Sequence, residues 1–375
     1  MTEALDATAA CPHCDAPLAA ADQFCESCGA TVAARVVPVA EAPAADDQPP
    51  GLDSTRTRLI IPSPSDPAVA VEGVRHCASC AGIVDPSGYC SVCGVKAVAE
   101  RDHFRETPSP WTGGVCDKGR RHHRNEDAMA SVADEEPGSF AALVVCDGVS
   151  SSPDSDRASL SAARAARDVL AAAHAESPAP DDPAAFWTAR IADAAAAAQA
   201  EACAAAADPG APDTPSCTFV TAVLAGPVLV SGCVGDSRAY WLPDDGPAVQ
   251  LTEDDSWVTE QVRIGVPRET AEADGKAHAI TRWLGVDSPD PVPACATTTV
   301  TGPGWLLACS DGLWNYCSPA GELRDLIRDL IRDKAAQDPA PTAIAAALVD
   351  FANAAGGQDN ITAVLARVPA PPSVP

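Results

Sequence analysis

The order of its apolar runs places this 375-residue chain in the α+β class. Two antiparallel sheets pack face to face with helices outside, four layers in all, behind two small cysteine-rich modules. Three observations lead there. Short runs rich in β-branched residues end at turn signals. Long alanine-rich stretches fall between them and read as helices. Eight of the 16 cysteines stand as four C-x-x-C pairs within the first hundred residues.

The pairs come first. Cys11-Pro12-His13-Cys14 is followed by Cys25-Glu26-Ser27-Cys28-Gly29, and Cys77-Ala78-Ser79-Cys80 by Cys90-Ser91-Val92-Cys93-Gly94. Four thiolates at this spacing close a tetrahedral zinc site. Gly29 and Gly94 suit the tight turn after each second knuckle. Modules this small lack a core of their own, so zinc would supply the folding energy. A redox dithiol is the rival reading, but it would not come in tandem quartets. Both modules resemble zinc ribbons, expected over 8–32 and 75–97, with one structural Zn2+ each. A site closed by four thiolates leaves no open position for catalysis. A structural staple and a docking site for a protein partner both stay open.

Residues 33–74 read as a flexible linker rich in Pro, Ala and Asp. The island Thr55-Arg56-Thr57-Arg58-Leu59-Ile60-Ile61-Pro62 inside it suits a docking segment or a phosphoacceptor, though ordinary linker composition accounts for it.

The texture changes near residue 108. A strand is expected over Phe140 to Val149, then helices over Ala158 to Ala175 and Ala184 to Ala207, separated and ended by proline clusters. Thr218 to Leu224 and Val228 to Val234 form a hairpin about Gly226-Pro227. Further strands are expected over Ala239 to Leu242, Trp305 to Cys309 and Ile361 to Val368. Helices are expected over Glu322 to Ala336 and Thr342 to Ala355, the second stopped by Gly356-Gly357. The domain should span 108–368, with a disordered tail over 369–375.

Bulk properties exclude several functions. A net charge of -27 and a pI near 4.4 oppose a broad grip on nucleic acid or an anionic membrane. No stretch is apolar enough to span a bilayer. Met1 to Ala4 lack the start of a signal peptide. A cytoplasmic protein with no nucleic-acid or membrane partner is expected. Isolated Cys217, Cys233 and Cys309 sit in apolar runs, as buried thiols do.

Four acidic motifs carry the chemistry: Asn125-Glu126-Asp127, Asp147-Gly148, Ser310-Asp311-Gly312 and Asp359-Asn360. Each sits at the end of a strand pattern or just before one. Singly, each reads as turn chemistry. Gathered at one sheet edge, such carboxylates repel one another and call for cations. An all-oxygen set suits Mg2+ or Mn2+, and hydrolysis more than redox work.

The full series of segments makes residues 108–368 resemble the PPM-type phosphatases, the metal-dependent type 2C Ser/Thr protein phosphatases. In order they are Asp117-Lys118-Gly119, Asn125-Glu126-Asp127-Ala128, Val144 to Val149, Cys217 to Ala222, Gly235-Asp236-Ser237-Arg238-Ala239-Tyr240, Leu251 to Asp254, Ile280 to Gly285, Ser310 to Trp314 and Asp359 to Thr362. The resemblance implies hydrolysis of phosphoserine and phosphothreonine in proteins by water activated between two Mn2+ or Mg2+ ions. Asp147 matches the acid that bridges both ions, and Gly148 lends its carbonyl. Glu126 matches a ligand of one ion, Asp311 and Asp359 ligands of the other. Asp127 matches the acid that orients metal-bound water. Asp236 matches an acid that, with the Asp311 equivalent, holds a third, weaker ion, unless it only forms a hairpin turn. The partners implied are phosphoproteins, targets of Ser/Thr kinases.

Three departures stand out. Where many members carry a phosphate-gripping Arg, this chain has His122, within Arg120-Arg121-His122-His123-Arg124. His122, Arg121 or Arg124 is expected to take over, unless the run is a solvated turn. Ser150-Ser151-Ser152 stands where many members have Gly-Gly or a His, so no general acid is evident. Asp254-Asp255-Ser256 lacks a nearby His, and one of these acids is expected to cap the following helix. A catalytically weak, phosphatase-like scaffold that binds partners is the rival reading.

Overall fold

A computed structural model describes residues 9–10, 17–18, 82–85, 87–95, 97, 99–177, 180–206, 213–333 and 340–369. The chain divides into two units, Met1–Val71 and Glu72–Pro375. In the first, Ala9–Ala10 pairs antiparallel with Pro17–Leu18. Cys11, Cys14, Cys25, Cys28, Cys77 and Cys80, the expected linker and residues 370–375 lie outside the described residues.

The described part of the second cysteine module is a knuckle. Val84 bridges Cys90 antiparallel. The backbone N–H groups of Val92 and Cys93 donate to the Cys90 sulfur at 3.4 and 3.5 Å. Gly94 takes a φ of 69°, the left-handed turn that its lack of Cβ permits.

Two large sheets form the core of the domain, beside a two-stranded pairing of Ser216–Cys217 with Leu284–Gly285. The six-stranded sheet contains β1 (His103–Ser109), β2 (Thr112–Asp117), β7 (Arg238–Pro243), β8 (Val249–Gln250), β10 (Gly304–Cys309) and β11 (Ile361–Val368), in the order β8-β7-β10-β11-β2-β1. The five-stranded sheet contains β3 (Ala128–Ala133), β4 (Phe140–Cys146), β5 (Phe219–Ala225), β6 (Val228–Val234) and β9 (Ala294–Thr299), in the order β9-β6-β5-β4-β3. All pairings are antiparallel.

Period-two geometry explains the continuous apolar runs. In β4, Ala141, Leu143 and Val145 point into the core between the sheets, beside Val364 and Ala366 of β11. Phe140, Ala142 and Val144 point the other way, onto α1 (Ser155–Glu176) and α2 (Pro183–Ala204). Ile361, Ala363 and Leu365 of β11 face α6 (Ala320–Asp333) and α7 (Pro341–Ala355). Central strands are thus covered on both faces, and the expected four-layer α+β architecture is borne out. No helix among the described residues is long and apolar enough to cross a membrane.

Several boundaries differ from expectation. β4 stops at Cys146, because Asp147-Gly148 turns away. α1 and α2 begin earlier. Asp182 caps α2 by accepting from the Ala185 N–H at 3.1 Å, ahead of Pro183 in the first turn. α2 ends at Ala204, short of Ala207. β1, β2, β3, β8 and β9 were not anticipated. Two short helices also join β8 to β9, α3 (Trp257–Arg263) and α4 (Arg268–Glu272). Neither Asp254 nor Asp255 caps α3. Ser256 does, its Oγ accepting from the Thr259 N–H at 3.2 Å.

Candidate active site

Antiparallel pairing brings the acidic motifs to one edge. Ala128 of β3 faces Cys146 of β4, and Cys309 of β10 faces Ala363 of β11. Asp127 therefore enters β3 beside the exit of β4, where Asp147 follows. Asp311 opens α5 (Asp311–Trp314) just past β10, beside Asp359 ahead of β11. Asp236 follows β6.

Asp127 bolts the sheets together. It sits at the start of the five-stranded sheet, yet its Oδ2 accepts from Ser310 Oγ at 2.6 Å and Thr362 Oγ1 at 2.7 Å, both on the six-stranded side. A second bolt runs from the Glu126 N–H to Asn360 Oδ1 at 2.7 Å. Asp147 is fixed by a reciprocal pair with Thr218: its N–H donates to Thr218 Oγ1 at 3.0 Å, and its carbonyl accepts from the Thr218 N–H at 2.7 Å. Gly148 is needed at its place. A Cβ there would lie 2.6 Å from the Glu126 carbonyl oxygen and 2.9 Å from that of Ser155.

The electrostatics are those of crowded carboxylates. Burial, then the charges of Asp127, Asp311, Asp359 and Asp236, hold Asp147 well above the usual carboxylate range. Burial, then Asp236, Asp359 and Asp127, do the same to Asp311. Burial lifts Asp127 to about 6, against the pull of the Ser310 and Thr362 hydroxyls. Burial and neighbouring Asp254 lift Asp236 to about 7. Asp127 Oδ1 and Asp311 Oδ1 are buried and accept from no N–H or hydroxyl group, while the Asp147 carboxyl lies within hydrogen-bond reach of both residues.

Glu126 is different. Its Oε1 accepts from Arg124 Nε and Nη2, at 2.9 and 2.7 Å, and from Ser155 Oγ at 2.8 Å. Its Oε2 accepts from Ser150 Oγ at 2.8 Å. Burial alone would raise its pKa, but Ser155, Arg124 and Ser150 together bring it below the usual value.

The basic run divides three ways. His122 turns into the cluster, with Nε2 3.1 Å from Asp359 Oδ1 and Nδ1 3.5 Å from Glu126 Oε2. Arg124 is committed to Glu126. Arg121 is exposed. The Ser150 to Ser152 stretch is not idle, since Ser150 holds Glu126. Ser150, Ser155, Ser310, Asn360 and Thr362 all support the acids, and sequence reasoning gave them no role. Ser310, Asn360 and Thr362 lay inside the quoted motifs, which is the one signal that pointed to them.

Among the described residues, no three His, Cys, Asp or Glu side chains are already drawn into a set that could hold a metal ion. The donor chemistry nevertheless fits hard divalent cations: an all-carboxylate edge, carboxyls disfavoured in their charged form, and two buried oxygens that no N–H or hydroxyl group satisfies.

A family model for protein phosphatase 2C matches residues 118–351, more than half the chain. A double zinc ribbon model matches residues 11–94. The serine/threonine phosphatase stp of Listeria innocua serovar 6a is 34% identical over 151 residues, 40% of this chain and 55% of that protein. Protein phosphatase PhpP of Streptococcus pneumoniae serotype 2 is 36% identical over 133 residues, 35% of this chain and 50% of the relative. The chain spans about half the length of these curated relatives. Among solved structures, the S. agalactiae serine/threonine phosphatase shares the fold, with a TM-score of 0.53 at 21% identity over 71% of this chain and 100% of that one. The Mycobacterium tuberculosis serine/threonine phosphatase PstP/Ppp aligns with a TM-score of 0.51 at 25% identity, over 71% and 99%. The chain belongs to the protein phosphatase 2C family and carries a double zinc ribbon ahead of its phosphatase-type domain.

Proposed function

We propose that the domain hydrolyses phosphoserine and phosphothreonine in proteins, with divalent Mn2+ or Mg2+ held by Asp147, Asp311, Asp359 and the Gly148 carbonyl. The carrying observation is the convergence of Asp127, Asp147, Asp311 and Asp359 at one edge of both sheets, with buried oxygens of Asp127 and Asp311 that no N–H or hydroxyl group satisfies. Bound there, such cations would supply Lewis acidity toward phosphoryl oxygens and would lower the pKa of a coordinated water.

The chain's own residues do the rest. Asp127, anchored through Oδ2, presents Oδ1 as a fixed acceptor. Glu126 completes the wall of the site, held in one orientation by Arg124, Ser150 and Ser155. Asp236 with Asp311 forms the second pair of acids, suited to a third and weaker ion. With Arg124 committed to Glu126, His122, beside Asp359, is the first candidate to meet a substrate phosphate. No thiol nucleophile is called for: burial pushes Cys116 up to about 12 and Cys146 and Cys309 well above the ordinary thiol value.

The zinc ribbons would hold two structural Zn2+ ions through Cys11, Cys14, Cys25 and Cys28 and through Cys77, Cys80, Cys90 and Cys93, and serve structure or partner docking. The saturation of Glu126 favours a second reading, a weak phosphatase-like scaffold. Purified protein with Mn2+ and p-nitrophenyl phosphate or a phosphothreonine peptide separates the two. Turnover lost in Asp147→Asn and restored by no other divalent ion supports the enzyme. Mn2+ uptake without turnover in the wild type supports the scaffold.

A further inference from the structure

One buried cation stands beside the acids without belonging to them. Arg238 opens β7 and is 7% exposed. Its guanidinium grips Asp254 twice, Nε to Oδ1 at 2.9 Å and Nη2 to Oδ2 at 2.6 Å. Its Nη1 donates to Ser318 Oγ at 2.6 Å. Its plane lies 3.7 Å from the centre of the Trp314 ring. Trp314 ends α5, the short helix that Asp311 begins. The indole N–H of Trp314 donates to the Asp236 carbonyl at 2.9 Å. From the other side, Gly312 lets α5 lie against the chain at Asn360, where an added Cβ would come 1.9 Å from the carbonyl oxygen.

Asp236 and Asp311 come from different sheets, yet both are fastened to this frame. A buried ion pair is a poor stabiliser, because desolvation offsets much of the attraction. A planar fork that also stacks on an aromatic ring fixes geometry in a way an apolar pair does not.

We infer that Arg238, braced by Asp254, is a positioning residue: through Trp314 it holds Asp236 and Asp311 in one relation, so that the two acids share a cation. The inference rests on the metal reading above and adds a device to it. Arg238 touches neither substrate nor reacting atoms.

Two variants of the full chain test it. Trp314→Phe keeps a ring beneath the guanidinium and removes only the N–H that reaches Asp236. Arg238→Met with Asp254→Leu replaces the ion pair by apolar side chains of similar volume and leaves no charge unpaired. Mn2+ titration calorimetry is the readout. The weakest uptake step should weaken about tenfold in both variants while the tighter steps and the melting temperature hold. The Mn2+ concentration for half-maximal turnover should rise with unchanged KM for p-nitrophenyl phosphate. An unchanged isotherm in both variants overturns the inference. So does a uniform loss of every step together with a lowered melting temperature, which would mark a role in folding alone. A wild type that takes up no Mn2+ would instead overturn the metal reading and this inference with it.

Discussion

His122 and Asp359 are in contact: imidazole Nε2 lies 3.1 Å from Asp359 Oδ1, while the other ring nitrogen lies 3.5 Å from Glu126. The ring therefore faces the acid edge rather than solvent. Arg121, one residue away, is exposed.

The two side chains should then behave differently. His122→Ala should raise KM for p-nitrophenyl phosphate about tenfold, the size of one charge-assisted hydrogen bond. Arg121→Ala should leave KM within about twofold. Steady-state kinetics at saturating Mn2+ decides it, and equal effects of the two changes would remove His122 from substrate binding.

The crowded carboxylates make stability depend on pH. Burial and mutual repulsion keep Asp147 and Asp311 protonated well above the usual range, with Asp236 at about 7 and Asp127 at about 6. In the unfolded chain the same groups lose their protons near pH 4. Between about pH 4 and 7 the folded, metal-free chain thus holds more protons than the unfolded one, so its stability falls as pH rises. The slope is about 1.4 kcal/mol per pH unit for each proton of difference. Melting in EDTA should drop from about pH 5 to pH 7.5, and excess Mn2+ should flatten the trend. A melting temperature that climbs with pH in EDTA would contradict the placement of these groups.

What was legible in advance follows from which forces are local. β11 was readable to the residue, because a strand covered on both faces is apolar at most positions, Thr362 and Arg367 being the exceptions. The acids were readable because each is embedded in a short motif at a strand end. β2 was not: its Gly113 and Gly114 look like turn residues, yet they are there because Cβ atoms would strike Thr342 Oγ1 at 2.0 Å and Met129 Sδ at 2.7 Å. β1 carries His103, Arg105 and Glu106 on an outer edge, so its pattern is polar. The support of Glu126 by Asn360 crosses 234 residues, and no local signal encodes that. Asp254 and Asp255 looked like helix caps because their real partners, Arg238 and Arg282, are supplied by tertiary structure.

Gly312 offers a packing test. An added Cβ would sit 1.9 Å from the Asn360 carbonyl oxygen and 2.8 Å from its carbon, both backbone atoms that cannot swing aside. Gly312→Ala must therefore push α5, and Asp311 with it, away from Asn360. The expected cost is about 1–3 kcal/mol of stability, typical of overpacking. Turnover should fall much more than stability, because Asp311 moves with the helix. Denaturant melts and kinetics on one preparation compare the two losses. Full activity in this variant would mean that the placement of Asp311 is not critical.

The second zinc ribbon can be separated from the chemistry. Cys90 sits in a knuckle where two backbone N–H groups point at its sulfur. Cys90→Ser removes that sulfur while touching none of the residues at the acid edge. Metal analysis should show about one Zn2+ fewer per chain, since a four-thiolate site rarely survives loss of a ligand. Hydrolysis of p-nitrophenyl phosphate should stay within about twofold of wild type. Turnover of a protein substrate then distinguishes the two roles left open for the ribbon: it falls if the ribbon recruits that substrate, and holds if the ribbon is only a staple. Loss of small-substrate activity along with the zinc would instead mean that the ribbon supports the catalytic fold.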